Sequence, residues 1–206
     1  MHEANPNIAI FASGQGSNAL ALMDAFERRD LPATLALVLC NCEDAPVIQK
    51  AKDKGYPTVV VPHKGLPRVE HEAHVLETVE KAGISHILLA GYMRILTADF
   101  LTRFQATRGG HVLNIHPSLL PLFPGLHAAD QQWEARVETA GATVHFVIPE
   151  VDAGPIILQR SLKVRGDEGA AGLGERIRSE IEHSLYPDAV QTFLDKLSPL
   201  AEKVSP

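Results

Sequence analysis

The feature that most constrains the fold is a series of five short apolar runs separated by segments of helical length. Each run is almost wholly apolar instead of alternating with polar residues, which is typical of parallel strands covered by helices on both faces. The sequence therefore predicts β–α alternation, with helices near residues 17–29, 46–54, 67–82 and 97–105. The apolar runs are IAIFA at 8–12, TLALVLC at 34–40, TVVVP at 58–62, HILLA at 86–90 and HVLNI at 111–115.

The pattern changes after residue 120. A proline-rich segment, PSLLPLFPG, is followed by two strand-like runs, ATVHFVIP and PIILQRSLKV, on either side of the turn EVDAG. These runs predict an antiparallel hairpin or extension of the sheet. Two further helices are expected, over residues 168–185 and 188–197, because Pro187 should interrupt a helix there.

Together these elements predict an α/β fold with a single domain over residues 1–206. We expect a doubly wound, mostly parallel, Rossmann-like sheet with an antiparallel C-terminal extension. The chain has 206 residues, of which 45% are hydrophobic and 21% charged, as is typical of a globular domain with a full core. In such sheets the ligand site lies beyond the carboxyl ends of the strands.

Charge and composition narrow the classes of partner. The formal net charge is -6 and the basic residues are scattered, which disfavours nucleic acid as a partner. No apolar run reaches the ~20 residues needed to span a bilayer, and the first residues lack an apolar signal core. Cys40 and Cys42 are expected to be reduced thiols, and the histidines lack metal-ligand spacing. We therefore expect a cytoplasmic protein with small-molecule substrates, no membrane partner and no metal.

The segment Ser13–Ala19 follows the first strand and opens the first helix. Its glycines allow a tight turn, and free amides at a helix N-terminus favour an anion. The G-x-G-x-x-A spacing also overlaps the dinucleotide fingerprint, but the second strand ends in Cys-Asn-Cys, without the acid that binds the ribose. Gly16, Ser17 and Asn18 instead suit a phosphate monoester. The alternative is that Ser17 only caps the helix and the glycines only make the turn.

The strand HVLNI carries a second group of polar residues. Asn114 and His116 are two residues apart and share one face of the strand, so both can address one ligand atom. Histidine can transfer a proton near neutral pH, and an asparagine amide can donate to an oxyanion. Asp152, in the turn EVDAGP, is available to orient the histidine and favour its charged form. These residue types suit acyl transfer, although each could instead serve only the local backbone, and spacing alone does not place Asp152 beside His116.

The chain resembles the folate-dependent formyltransferase family from end to end. The resemblance is nearest to the members that act on a ribonucleotide in purine biosynthesis, and the fold it implies is the Rossmann-like formyltransferase fold. The segments NIHPSLLP and D-x-G-P, in this order, are its most specific parts. The matching segments are ASGQGSN at 12–18, LAGYMRIL at 89–96, NIHPSLLPLFPGLH at 114–127, ATVHFV at 142–147, DAGPIILQ at 152–159 and EHSLYP at 182–187.

This resemblance implies transfer of a formyl group from 10-formyltetrahydrofolate, as co-substrate, to the amine of 5-phosphoribosylglycinamide, without a metal or redox cofactor. By similarity, His116 assists proton transfer, Asn114 binds the oxygen of the tetrahedral intermediate, and Asp152 keeps His116 protonated. The phosphate-binding part spans roughly residues 7–110, and the folate-binding and catalytic part roughly 86–200. Gly16, Ser17, Asn18 and Glu182 would bind the ribonucleotide, while Arg68, Met93, Arg94, Ile95, Leu96 and Asn114 would bind the folate.

Simpler interpretations of the carried-over residues stay open. Met93, Ile95 and Leu96 are residue types that usually pack in a core. Arg68 at a helix start is compatible with a solvated charge, and Glu182 with a surface acid. The segment GLHAADQQWEARVETAGATVH also departs from the family pattern in the loop after the proline-rich stretch.

Other functions remain as alternatives. Within the family, methionyl-tRNA formyltransferases and formyltetrahydrofolate hydrolases carry an additional domain for which this chain has no room. A sugar-nucleotide formyltransferase is the nearest alternative enzyme. From another class, a nucleotide-binding or NAD-binding protein could use the same sheet and glycine loop, but it would not need the Asn-His-Asp group. The assembly is expected to be a monomer or a homodimer.

Overall fold

The computed structural model describes residues 5–28 and 30–201. Its centre is a seven-stranded sheet in the order β3-β2-β1-β4-β5-β6-β7, in which the first five strands are parallel and the last two are antiparallel additions. The predicted α/β fold with a C-terminal antiparallel extension is therefore confirmed. The strands are β1 (Asn7–Ala12), β2 (Thr34–Cys40), β3 (Thr58–Val60), β4 (His86–Leu89), β5 (Val112–His116), β6 (Thr139–Phe146) and β7 (Ile156–Lys163).

Helices connect the parallel strands and complete the chain. The four predicted between the first five strands are present, and the one expected near 17–29 ends within the described residues, while Arg29 lies outside them. The helices are α1 (Ser17–Glu27), α2 (Pro46–Asp53), α3 (Arg68–Lys81), α4 (Ala98–Arg108), α5 (Ala128–Glu134), α6 (Gly169–Arg176) and α7 (His183–Ala201), with a π-helical turn (Ile177–Glu182) between the last two.

Local sequence signals set several helix ends. Pro46 begins α2, where its missing N–H needs no partner. The Thr97 side chain caps α4 by accepting a hydrogen bond from Phe100 N–H, and Gly109 ends the same helix in the left-handed region. This helix was expected near residues 97–105, and it ends three residues later, at Arg108.

Both faces of the sheet are buried because strand residues alternate between two apolar cores. In β1, Ile8 and Ile10 point into a core shared with α1, α2, α6 and α7. Ala9 and Phe11 point into the opposite core, which contains residues of α3 and α4. The chain winds from β1 outward to β3 and then returns to β4 beside β1, so a crevice opens where the loops after β1 and β4 diverge.

The C-terminal helical segment differs from expectation. We predicted two helices separated at Pro187, but the helix continues through this proline from α6 to the end of α7. A proline inside a helix costs about 3 kcal/mol. Leu185, Tyr186, Ala189 and Val190, on both sides of it, are fully buried, and this packing offsets the local cost.

Tyr186 joins α7 to the sheet. Its hydroxyl lies 3.1 Å from the carbonyl oxygens of both Leu89 and Leu113, which belong to neighbouring strands. The ring is fully buried, so an unpaired hydroxyl would be costly. This contact holds α7 beneath the strands that carry the candidate site.

The short helix α5 was not predicted. It lies in the segment that departs from the family pattern, and Gln132 attaches it to the loop after β5 by donating to the Pro117 carbonyl over 2.8 Å. Among the helices of the described residues, none combines the length and apolar character required to cross a bilayer.

Candidate active site

A cavity of about 500 Å³ opens beyond the carboxyl ends of β4 and β5. This volume is in the range of pockets for drug-sized ligands. Its walls come from the loop after β4, the end of β5, the segment after β5 and the β6–β7 connection. All six residues predicted to bind folate line it: Arg68, Met93, Arg94, Ile95, Leu96 and Asn114.

The exposed fraction of each lining residue shows whether it faces the cavity or packs in the core. The side chains of Met93 and Ile95 are 75% and 54% exposed, so they do not pack in the core. Leu96 is only 5% exposed and belongs to the core beneath the cavity. Arg68 is the first residue of α3 and reaches the cavity wall from an exposed position.

The three predicted catalytic residues lie together at the cavity wall. Asn114 and His116 occupy the end of β5, two residues apart, as the strand alternation requires. His116 Nδ1 lies 3.3 Å from Asp152 Oδ2, and the two side chains are 6% and 10% exposed. The contact joins positions in a strand and in the β6–β7 connection, and so it could not be read from spacing.

Asp152 is held by backbone geometry as well as by its neighbours. Its φ of 54° places it in the left-handed region, and a Cβ at Gly154 would overlap the carbonyl of Phe146, so only glycine fits there. Gly125 N–H donates to Asp152 Oδ2 over 2.8 Å. The D-x-G-P motif is therefore a turn that directs the carboxylate back towards His116.

The charge of Asp152 results from opposing effects. Burial raises the pKa of Asp152, but the hydrogen bonds from His145 and from Gly125 N–H, together with the nearby His116, lower it. The net pKa lies below the usual value, so this carboxyl is an anion at neutral pH.

His145 is a site residue that the sequence reasoning did not single out. It lies on β6 directly opposite Asn114 and is 2% exposed. Its Nε2 is 3.3 Å from Asn114 Nδ2 and 3.5 Å from Asp152 Oδ1, while Nδ1 contacts the Phe146 carbonyl at 2.9 Å. The available signal was a histidine inside the mostly apolar run ATVHFV.

His116 is bounded on both sides by oxygen acceptors. Its Nε2 is 2.8 Å from the carbonyl oxygen of Phe123, and its Nδ1 faces Asp152. Both hydrogen bonds form at once only when each ring nitrogen carries a proton. Phe123 is seven residues after His116 in the sequence, so this contact shows that the segment after β5 folds back over the ring.

The glycine loop lies outside the main cavity, at the start of α1. Gly16 has a φ of 71°, and a Cβ there would collide with the side chain of Val47. Gly16, and not Ser17, is the N-cap, and across residues 5–28 and 30–201 no side chain caps this helix. The simpler interpretation of Ser17 as a cap is therefore wrong, and the first-turn amides of α1 have no side-chain cap.

Asn18 and Glu182 meet across 164 positions of sequence. Asn18 Nδ2 donates to Glu182 Oε2 over 2.7 Å, and Glu182 is only 6% exposed, so it is not a surface acid. Burial raises the pKa of Glu182, and the hydrogen bond from Asn18 only partly opposes this. Glu182 ends the π-helical turn, a feature that often accompanies functional sites.

The fold and this geometry define a class of protein. A doubly wound sheet carries, at its strand ends, a cavity beside a histidine–carboxylate pair and an amide donor. This arrangement is that of an enzyme that acts on small molecules.

Comparison with known proteins identifies the family within that class. Residues 6–190 match the model of the formyl transferase family, and the chain belongs to this family. It is similar to phosphoribosylglycinamide formyltransferase of Bacillus subtilis (strain 168), with 35% identity over 187 residues, which cover 90% of this chain and 93% of that protein.

Two further comparisons agree. The chain is 40% identical over 185 residues to the trifunctional purine biosynthetic protein adenosine-3 of Homo sapiens; the match covers 89% of this chain but spans only 18% of the length of that relative. A crystal structure of glycinamide ribonucleotide transformylase 1 from Symbiobacterium toebii superposes with a TM-score of 0.87 at 37% identity, covering 95% of this chain and 90% of that one.

Proposed function

We propose that this chain transfers the formyl group of 10-formyltetrahydrofolate to the glycine amine of 5-phosphoribosylglycinamide. The observation that carries the proposal is the meeting of Asn114, His116 and Asp152 at the wall of the cavity lined by the predicted folate-binding residues. The names of the relatives from Bacillus subtilis and Symbiobacterium toebii support the same substrate.

Asn114 would act on the formyl oxygen. Attack of the amine on the formyl carbon converts this oxygen into an oxyanion, which needs a donor placed in advance. Asn114 Nδ2 has two hydrogens that can donate to this oxyanion. His145 Nε2 lies 3.3 Å from Nδ2 and would help to position the Asn114 amide.

His116 would move the proton. The attacking amine loses a proton as the new C–N bond forms, and the departing folate nitrogen gains one as the old C–N bond breaks. A histidine with a carboxylate partner can supply or accept this proton near neutral pH. Asp152, anionic at neutral pH, would fix the orientation of the ring.

The two substrates would approach from opposite sides of this group. The folate would occupy the main cavity, with Met93 and Ile95 as exposed apolar contacts and Arg68 at its outer end. The phosphate of the ribonucleotide would bind at Gly16, Ser17 and Asn18, where the amides of α1 are uncapped. Glu182 would approach the ribose or amine end of the ribonucleotide.

We infer from these positions that the phosphate-binding part falls within about residues 7–110, and the folate-binding and catalytic part within about 86–200. Neither a metal ion nor a redox group is needed for this reaction, because the charge developed is met by Asn114 and His116. The formyl donor is consumed as a co-substrate.

A direct assay tests the proposal. Purified protein is mixed with 10-formyltetrahydrofolate, and deformylation is followed spectrophotometrically with and without 5-phosphoribosylglycinamide. Deformylation that requires the ribonucleotide is expected. Deformylation at the same rate without the ribonucleotide would indicate a hydrolase. If both acceptors are offered in competition and only the sugar nucleotide is formylated, the chain is the alternative transferase.

A further inference from the structure

The side chain of Ser13 connects two loops that leave the sheet in different directions. Ser13 is the first residue after β1, and its Oγ accepts a hydrogen bond from Met93 N–H over 2.8 Å. The same hydroxyl donates to Asn41 Oδ1 over 2.6 Å. The Ser13 N–H also donates to the Gly91 carbonyl over 3.1 Å. The start of the glycine loop is thus tied to the loop over residues 90–97, which we call the Met93 loop.

Asn41 extends this connection to a third loop. It follows β2 and is 2% exposed. Its carbonyl accepts from His63 Nδ1 over 2.7 Å, and Arg94 in turn donates to the carbonyl of His63 over 3.3 Å. Loops after β1, β2, β3 and β4 are therefore joined through Asn41 and Ser13.

The Asn41 amide meets Ser13 through its oxygen. Oδ1 accepts from the Ser13 hydroxyl, and within residues 5–28 and 30–201 the buried Nδ2 has no hydrogen-bond partner. Asn41 is thus held to Ser13 by this one side-chain hydrogen bond.

These contacts lie where the sheet itself no longer fixes the loops. The last pairing between the two strands joins Phe11 to Leu89, and beyond it β1 and β4 lead into loops on opposite sides of the crevice. Beyond the hydrogen bond from Ala90 N–H to the Phe11 carbonyl, at 2.8 Å, the hydrogen bonds of Ser13 are the next connection outward. Met93 as a residue remains 75% exposed. Its backbone N–H is held by Ser13, while its side chain is open to a ligand.

We propose that Ser13 and Asn41 are positioning residues that couple occupancy of the glycine loop to the shape of the folate-binding wall at the Met93 loop. The inference rests on the proposed function, because it takes the two loops as the sites of the ribonucleotide and the folate. When a phosphate orders the glycine loop, Ser13 holds the Met93 amide in place. Each ligand then raises the affinity for the other.

The first test uses Ser13→Ala and calorimetric titration of 5-phosphoribosylglycinamide and a non-reactive folate analogue, each alone and with the other bound. In the wild type, either ligand raises the affinity for the other by about fivefold or more. In Ser13→Ala this factor falls towards one, and the affinity for the analogue alone drops by about 3- to 10-fold, as expected for one lost hydrogen bond. Steady-state rates should show KM for the folate rising more than kcat falls.

Matched variants separate positioning from a general structural effect. Ser13→Thr keeps the hydroxyl and should retain the coupling. Thr78→Ala removes a hydroxyl that donates to the His74 carbonyl within α3, and it should leave affinities and coupling unchanged. The double variant of Ser13→Ala with Asn41→Ala should lose no more coupling than either single variant, because both remove the same connection.

A measurement on the wild type needs no variant. Adding 5-phosphoribosylglycinamide alone should slow amide hydrogen exchange in the Met93 loop, because the Met93 N–H donates to Ser13. Unchanged exchange there, or coupling that persists in Ser13→Ala, overturns the inference while leaving ribonucleotide-dependent turnover intact. Loss of ribonucleotide-dependent turnover in the wild type would instead overturn the proposed function.

Discussion

At the residue scale, the candidate site depends on one carboxylate shared by two histidines. Asp152 Oδ2 faces His116 and Oδ1 faces His145, at 3.3 and 3.5 Å. A neutral amide in the same place would keep the shape of the turn but not the charge. The chemistry and the folding role of Asp152 can therefore be separated by experiment.

We expect Asp152→Asn to lower turnover by ~100-fold or more, on the scale of acid–base contributions, because the ring of His116 loses its anionic partner. His116→Ala should have a comparable effect. The side-chain oxygen of the introduced amide can still accept from Gly125 N–H, so the melting temperature should change little. Initial rates and thermal melts measure both quantities.

Asp195→Asn is the matched control for that change. Asp195 is exposed on α7 and accepts from Gln191 over 2.6 Å, far in sequence from the strand-end residues. Its turnover should equal that of the wild type. A wild-type rate in Asp152→Asn would contradict the proposed mechanism.

Glu182 gives a prediction on stability. Because burial raises the pKa of Glu182, the folded state binds the carboxyl proton more tightly than the unfolded state does. The free energy of unfolding therefore falls as pH rises from about 4.3, the pKa of an unfolded glutamate, through the pKa of Glu182 in the folded state. Above that second pKa this contribution to stability is lost completely. Glu182→Gln keeps an acceptor for Asn18 and removes the charge. We expect its melting temperature at pH 8 to rise by about 2–4 °C, as for ~1 kcal/mol in a chain of this size, while KM for the ribonucleotide increases.

Glu180→Gln tests whether burial is the cause. Glu180 lies in the same π-helical turn but is exposed and pairs with Arg176 at 3.0 Å, and this ion pair lowers the pKa of Glu180. Its replacement should bring no gain at pH 8. The difference between wild type and Glu182→Gln should also disappear at pH 4, and a gain that is independent of pH would count against the explanation.

At the element scale, the glycine loop depends on a single position. Gly16→Ala places a Cβ against Val47 at a φ that favours glycine, so either the loop or α2 must shift. We expect a loss of stability of about 1–3 kcal/mol and a higher KM for the ribonucleotide. Denaturant titration and steady-state kinetics measure the two effects. Gly14→Ala is the control, since a Cβ there has no atom within 4 Å, and an equal loss in both variants would refute the role assigned to Gly16.

The C-terminal element shows how packing overrides a local signal. The sequence indicated a helix break at Pro187, yet Tyr186 binds two strand carbonyls and α7 continues. The preceding π-helical turn places Glu182 beside Asn18 of α1. One continuous helical segment therefore supplies both a contact with the sheet and a candidate ligand residue.

At the scale of the whole molecule, acid stability should be limited by a histidine pair at the other end of the sheet, in which His86 is buried and His111 is partly buried. The rings of His86 and His111 are stacked at 5.8 Å, and Phe193 packs edge-on against both. Burial, and then the charge of His111, lowers the pKa of His86 to about 4. No acidic partner is within ion-pair distance of either ring in the described part of the chain.

The sign of the effect follows from this lowered pKa. The unfolded chain binds a proton at His86 near pH 6.5, whereas the folded state resists it until about pH 4. The free energy of unfolding should therefore decline as pH falls through this window. His86→Asn keeps an acceptor for His111 N–H and should flatten the decline, as measured by denaturant titration at about pH 7 and about pH 4.5. The exposed His74→Asn variant should keep the wild-type slope, and an unchanged slope in His86→Asn would contradict this account.

The sequence by itself determined the elements and the residue types of the site. Five apolar runs became five parallel strands, since a strand covered on both faces needs apolar residues throughout. Asn114 and His116 share a face because alternation along a strand is local. The sequence also showed that no acid follows β2. Asn41 stands there, and it is buried and accepts a hydrogen bond from Ser13 instead of binding the ribose of a dinucleotide.

Tertiary structure alone decided which of these groups meet. The contacts of Asp152 with His116 and His145, of Asn18 with Glu182 and of Ser13 with Met93 join segments far apart in the chain. Each contact depends on the path that a loop takes between two elements, and the periodicity of the sequence does not predict that path. Packing likewise carried the last helix through Pro187 and left Met93 exposed, because burial is a property of the assembled layers and not of the residue type.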